Sequence, residues 1–180
     1  MLKKITFLVL AVSLTVGLEA EKNYLNVSGQ TGVVVNSQRD KKLGIGGSVA
    51  WLMQDDFMSK SGKNYTSLTM KIFNNPYQEG KFLKSMFNNE DDGFNYVALL
   101  AGYRVNFQNI SNGFFVEPRL GVGIFADKKP AFVVSPLVGF AYRNFDFGAY
   151  CDLGFKNKPF ATQKNNFITV GLSVGYGFGL

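Results

Sequence analysis

From Ile168 to Leu180 every second residue is large and apolar: Ile168, Val170, Leu172, Val174, Tyr176, Phe178 and Leu180. Between them stand only Thr169, Gly171, Ser173, Gly175, Gly177 and Gly179. Side chains of a strand point alternately to its two faces, so this period-two pattern predicts a strand and excludes a helix. The run exceeds the usual strand of a soluble protein. A chain built from such segments needs a fold that buries or lipidates a continuous apolar face.

The pattern repeats upstream. Val97, Leu99, Ala101, Tyr103 and Val105 oppose Ala98, Leu100, Gly102, Arg104 and Asn106. Phe114, Val116, Pro118, Leu120, Val122 and Ile124 oppose Phe115, Glu117, Arg119, Gly121 and Gly123. Val134, Pro136, Val138, Phe140 and Tyr142 oppose Ser135, Leu137, Gly139, Ala141 and Arg143, and Cys151 and Leu153 oppose Asp152 and Gly154. Leu68, Met70 and Ile72 oppose Ser67, Thr69 and Lys71. Eight strands are expected, near 24–35, 43–53, 65–73, 94–106, 114–126, 132–143, 146–156 and 167–180. Polar, turn-forming segments separate them, and no helical segment or linker divides the chain. The fold class is all-β.

Two architectures suit eight long alternating strands: a soluble sandwich or barrel, and a transmembrane barrel. A soluble sheet places its charges on the alternate face. Here that face is largely Gly, Ser, Thr and Ala with a few charges among them. Small residues let a closed sheet curve around a narrow lumen. The apolar face then meets lipid. Aromatics gather at strand ends in two belts: Tyr103, Phe107, Phe114, Tyr142, Phe145, Phe147, Tyr176 and Phe178 at one level, and Phe73, Phe94, Phe125, Phe132, Phe155 and Phe167 at the other. Such belts mark membrane interfaces. An eight-stranded antiparallel transmembrane barrel is expected.

The N-terminus fits export. Lys3 and Lys4 precede an apolar stretch from Ile5 to Leu18, and Ala20 offers a small residue before Glu21. That is a secretory signal peptide over 1–20, too short to span a bilayer, followed by a barrel domain over 21–180. Cys151 is the single cysteine, so no disulfide forms within the chain. The chain has no histidine. Ser-His and Cys-His catalysis and imidazole metal sites are therefore excluded.

The segments Phe115-Val116-Glu117-Pro118-Arg119-Leu120-Gly121-Val122-Gly123 and Ser135-Pro136-Leu137-Val138-Gly139 resemble strand motifs of the small OmpA/OmpX-type outer-membrane barrels, especially their Bacteroidetes-type members. Mature length, eight strands and termini on one side add to the resemblance. It implies the outer membrane of a Gram-negative bacterium, surrounding lipid, and the outer-membrane assembly machinery as a partner during biogenesis. Proteins of this kind usually end in an aromatic residue; this chain ends in Leu180, with Phe178 two before it.

Within the barrel the small-residue face directs Arg104, Glu117, Arg119, Arg143, Tyr150 and Asp152 into the lumen, where opposite charges pair before they serve as acid or base. The expected lumen is a polar plug with no cofactor, no metal and no catalytic set. Gly44-Ile45-Gly46-Gly47 and Gly175-Tyr176-Gly177-Phe178-Gly179 lie inside strands and are not phosphate loops. The formal net charge of +6 comes without a basic helix, so nucleic acid is not an expected partner.

With periplasmic termini, the outward connections carry Arg39, Lys41, Lys42, Lys81, Lys84, Lys128, Lys129, Lys156, Lys158 and Lys164, against Lys60 and Lys63 inside. Lys128, Lys129, Lys156 and Lys158 are the expected rim facing lipopolysaccharide. The expected function is a non-enzymatic, monomeric outer-membrane barrel with a structural or surface-interaction role. A narrow channel or conduit for hydrophobic molecules is one alternative, and a lipid-modifying enzyme without histidine is another.

Overall fold

The computed structural model describes residues 23–35, 43–55, 63–76, 93–125, 130–156 and 166–180. The signal segment 1–20 expected from the sequence lies outside them. Ten strand segments run in chain order: β1 (Asn23–Val34), β2 (Leu43–Gln54), β3 (Asn64–Pro76), β4 (Gly93–Asn106), β5 (Asn112–Glu117), β6 (Arg119–Phe125), β7 (Pro130–Val134), β8 (Leu137–Tyr142), β9 (Phe145–Lys156) and β10 (Asn166–Gly179).

The two extra segments come from prolines. Pro118 separates β5 from β6, and Ser135-Pro136 separates β7 from β8, because proline gives the ladder no N–H. The register does not slip across either gap. Glu117 faces Leu137 and Leu120 faces Val134 in one continuous antiparallel pairing. The ten segments therefore form eight staves, where the sequence pattern predicted unbroken strands over 114–126 and 132–143.

Each stave pairs antiparallel with its neighbours, and β10 closes on β1 from Tyr24↔Gly179 to Val34↔Thr169. The result is a closed eight-stranded antiparallel barrel with no free edge among its staves. Closure follows from the sequence because small inward residues relieve crowding inside a tight cylinder. Phe167 shows how: a Cβ at Gly154 would lie 1.6 Å from its Cε1 atom, so the ring rests on the bare backbone of the next stave. Phe73 lies likewise against Gly44, and Phe115 against Gly139.

The polarity is inverted relative to a water-soluble barrel. Val27, Ile45, Leu68, Met70, Leu99, Leu120, Val122, Val138, Val170, Leu172 and Val174 are exposed on the outer face. Gln30, Ser48, Ser67, Thr69, Lys71, Arg104, Glu117, Arg119 and Asp152 are buried inside. Such an outer surface is far larger than an ordinary exposed apolar patch and matches hydrocarbon rather than water.

The belt on the side of the chain ends is as the spacing predicts. Phe107, Phe114, Phe140, Tyr142, Phe145, Phe147 and Phe178 are exposed there, with edge-on contacts of 5.0 Å for Phe145–Tyr176 and 4.9 Å for Tyr176–Phe178. The opposite belt needs correction. Phe132 faces outward, but Phe73 and Phe167 are 1% and 5% exposed and point into the barrel. Both share the inward phase of their strands, Phe73 with Lys71 and Phe167 with Thr169, so their level near the strand ends does not put them in a belt. The side chains of Phe94 and Phe125 lie outside the described residues.

Candidate functional site: a layered, filled lumen

The lumen is stacked in layers. At the end away from the chain termini, Val34, Phe73, Tyr96, Ala98, Leu100, Ala131, Val133 and Phe167 form a buried apolar cluster. The Phe73 and Tyr96 rings stack with centroids 5.5 Å apart, and Phe167 lies 5.3 Å from Tyr96. These rings stop the barrel at that end.

Beneath them sits a charged layer centred on Asp152 of β9. Lys71 of β3 reaches across the lumen and places Nζ 2.6 Å from Asp152 Oδ2, with both side chains wholly buried. The Tyr96 hydroxyl donates to the same carboxylate oxygen, and Ser135 Oγ donates to Oδ1 at 2.6 Å. The Lys71 ammonium also lies 3.5 Å above the Tyr150 ring centroid. Tyr150 has room because Gly32 and Gly171 line the facing staves, where a Cβ would come within 2.7 Å and 2.6 Å of its hydroxyl oxygen. Arg119 donates through Nε to the Ser135 carbonyl at 2.9 Å and through Nη2 to Ser135 Oγ at 3.1 Å.

A second charged layer lies toward the chain ends. Arg104 holds Asp146 with two hydrogen bonds, of 2.5 Å and 3.0 Å, and donates through Nε to Asn106 at 3.0 Å. Asn26 Nδ2 adds a bond of 2.9 Å to Asp146. The Arg104 guanidinium also lies 3.7 Å from the Phe115 ring centroid. Ser67 donates to Glu117 at 2.7 Å between the two layers. Lys71, Arg104 and Arg119 are thus set among Glu117, Asp146 and Asp152, and a balanced interior avoids the cost of an unpaired buried charge.

Arg104, Glu117, Arg119, Tyr150 and Asp152 therefore all lie inside, at most 3% exposed. Arg143 does not. It is exposed on the turn between β8 and β9, where Arg143 and Asn144 have φ of 49° and 69°. Two left-handed residues define a tight hairpin turn, and the alternation that would have sent Arg143 inward ends one residue earlier. Its guanidinium lies 5.2 Å from the Tyr142 ring centroid. Lys128, Lys129 and Lys158 lie outside the described residues, and so does the side chain of Lys156.

The sequence pattern sets Asp146 with Glu117 and Asp152 as carboxylates of the polar plug, but it passed over Lys71, Tyr96, Ser135 and Asn106. Lys71 had a usable signal, because Leu68, Met70 and Ile72 fix the phase of β3 and put it on the small-residue face. No sequence spacing links Lys71 to Asp152.

The arrangement offers little room for chemistry. Asp152 accepts from Tyr96 and Ser135 and pairs with the Lys71 ammonium, so its oxygens are engaged. A cavity of about 20 Å³ lies between the charged layers, lined by Gln30, Ser48, Arg104, Glu117, Arg119 and Asp146 among others. That is space on the scale of a water molecule. Asp152, Lys71 and Ser135 do not border it. Among the described residues no cluster of Cys, Asp and Glu is placed to hold a metal ion.

A closed barrel of eight staves with a lipophilic exterior and a filled polar interior defines a class, the small outer-membrane barrels. Solved structures place the chain in that fold. It is similar to Neisserial surface protein A, with 13% identity and a TM-score of 0.57 over 89% of this chain and 99% of the other. It is also similar to Ail, the attachment invasion locus protein of Yersinia pestis, with 14% identity and a TM-score of 0.54 over 87% and 97%. The N-terminal β-barrel domain of Pseudomonas aeruginosa OprF gives 13% identity and 0.54 over 88% and 99%. At such identities the likeness is one of fold. No family model and no curated protein matches the sequence.

Proposed function

We propose that the chain is a non-enzymatic integral protein of the outer membrane of a Gram-negative bacterium, exported through a cleaved signal peptide and acting at the cell surface. The observation that carries this reading is the inverted polarity: apolar residues cover the wall while paired charges fill the lumen. Without internal space for a substrate, recognition falls to the connections at the rim. Fractionation should recover the mature protein with outer membranes and with heat-modifiable gel mobility. A soluble periplasmic monomer obtained without detergent refutes the reading.

The lysine-rich outward connections point to a polyanion, with lipopolysaccharide as the ligand at hand in that leaflet. Ail, a barrel of similar fold, was solved in complex with the heparin analogue sucrose octasulfate, which supports an anionic class of ligand. Neutralising Lys128, Lys129, Lys156 and Lys158 to Gln together should lower lipopolysaccharide co-purification and raise its sensitivity to salt. Unchanged retention by a folded quadruple variant leaves those lysines a role in solubility only. Planar-bilayer recordings should show no steady conductance, because the lumen is filled.

A further inference from the structure

Lys71 meets Asp152 at 2.6 Å and Arg104 meets Asp146 at 2.5 Å, but the remaining buried acid and base do not touch. Glu117 and Arg119 stand on either side of Pro118 and are 2% and 3% exposed. Among the described residues neither has an opposite charge within 4 Å. Ser67 donates to Glu117 Oε1 at 2.7 Å, and Arg119 gives Nε and Nη2 to the Ser135 carbonyl and hydroxyl. Ionised groups buried without a direct partner are costly unless something polar joins them.

Both side chains border the cavity of about 20 Å³ between the charged layers. Gln30 borders it too, 6% exposed, with Nε2 bonded to Ser48 Oγ at 3.0 Å and Oε1 without a partner. The cavity therefore presents a carboxylate and an amide oxygen, which accept, beside a guanidinium, which only donates. A guest that satisfies all three donates two hydrogen bonds and accepts one. Water has that valence, and a cavity of this volume admits about one such molecule. Residues two apart on a strand stand about 6.6 Å apart, close to the span of two hydrogen bonds through a bridging water. A metal cation accepts nothing useful from Arg119, and it upsets the balance of Lys71, Arg104 and Arg119 against Glu117, Asp146 and Asp152.

A second cavity, of about 10 Å³, shares Asn26, Leu52, Arg104 and Asp146 with the first and reaches Ser111 and Asn144 on the chain-end turns. In the other direction the wholly buried Lys71–Asp152 pair and the apolar cluster around Phe73, Tyr96 and Phe167 close the lumen.

We propose that Glu117, Arg119 and Gln30 form a water-binding site in which an ordered water joins the third buried ion pair, and that the lumen hydrates to this depth from the chain-end side and no further. The interior is then a well with one mouth. Its floor is the Lys71–Asp152 layer.

The test is NMR of the mature protein in lipid nanodiscs, with Ala, Leu and Val methyls labelled and nuclear Overhauser contacts read at the water frequency. Ala50 and Leu137 line the inner cavity, Leu137 opposite Glu117, and their methyls should show such contacts. Ala98, Leu100 and Val133 of the apolar cluster should show none. Hydroxyl protons of Ser28, Ser48 and Ser173 exchange with water and imitate these contacts, so the filling variant Ala50→Leu decides the source. It keeps all three hydroxyls and should abolish the contact at Leu137. Should that variant fail to insert, Gln30→Leu, which removes the unpartnered oxygen, should weaken the contact at least twofold. Replacing sodium chloride with choline chloride should leave the Leu137 and Gln30 signals unmoved. Contacts at both sets of methyls would mean a continuous channel, and none at Leu137 a dry cavity. Contacts that survive in the variant that inserts, or sodium-dependent shifts that make the guest a cation, likewise overturn the proposal.

Discussion

Lys71 and Asp152 meet across the lumen with Nζ 2.6 Å from Oδ2, although their strands are not neighbours in the sheet. The pair thus ties β3 to β9 through the interior rather than along the wall. Removing one partner leaves a buried charge, which costs about 3–5 kcal/mol. Lys71→Met should therefore lower the unfolding midpoint strongly, as read by urea titration in vesicles with the heat-modifiable gel shift as the reporter. Lys71→Met combined with Asp152→Asn should recover part of that loss, because the stranded charge is gone and the amide oxygen still accepts from one of Tyr96 and Ser135. Additive losses in the double variant would show that the two side chains do not interact.

Glycine at 154 is required by a contact rather than by the backbone. A Cβ there would meet Phe167 Cε1 at 1.6 Å, so the ring must leave its place against the wall. Gly154→Ala should cost about 1–3 kcal/mol, the range for overpacking a filled interior. Gly29→Ala is the control, since nothing lies within 4 Å of a Cβ built on the outer face there. Thermal shift of the folded gel band separates the two, and equal shifts would contradict this account.

The outer face can be tested at Leu172, which is 63% exposed in the middle of β10. Leu172→Arg should destabilise the barrel in a bilayer by about 2–4 kcal/mol, the cost of a charge facing mid-membrane lipid. The same substitution in a wall facing water would be nearly neutral. Equilibrium unfolding from phospholipid vesicles distinguishes the two.

The turn joining β8 and β9 has its own requirement. Asn144 has φ of 69°, and a branched side chain in that left-handed region costs about 1–2 kcal/mol. Asn144→Val should lower stability by that amount, whereas Asn144→Gly should be tolerated. The Asn144 carbonyl accepts from Gly177 N at 2.8 Å, so the defect should also appear as faster amide exchange at Gly177.

Alternation by itself determined the strands, their number as staves, and which residues face lipid. Each strand is long enough to report its own phase, and phase alone sends Leu172 outward and Asp152 inward. It failed at Arg143, which lies one place past the end of its strand, so the turn decided its direction. Phe73 and Phe167 follow the inward phase of their strands, and only their level near the strand ends suggested a belt. Only the closed barrel decided which buried groups meet. The register that carries β10 onto β1, and the cylinder's curvature, bring Lys71 of β3 to Asp152 of β9 and set Tyr150 against Gly32 and Gly171. Those partners lie far apart along the chain, and a contact across a lumen has no local spacing to betray it: it exists only once the sheet has closed.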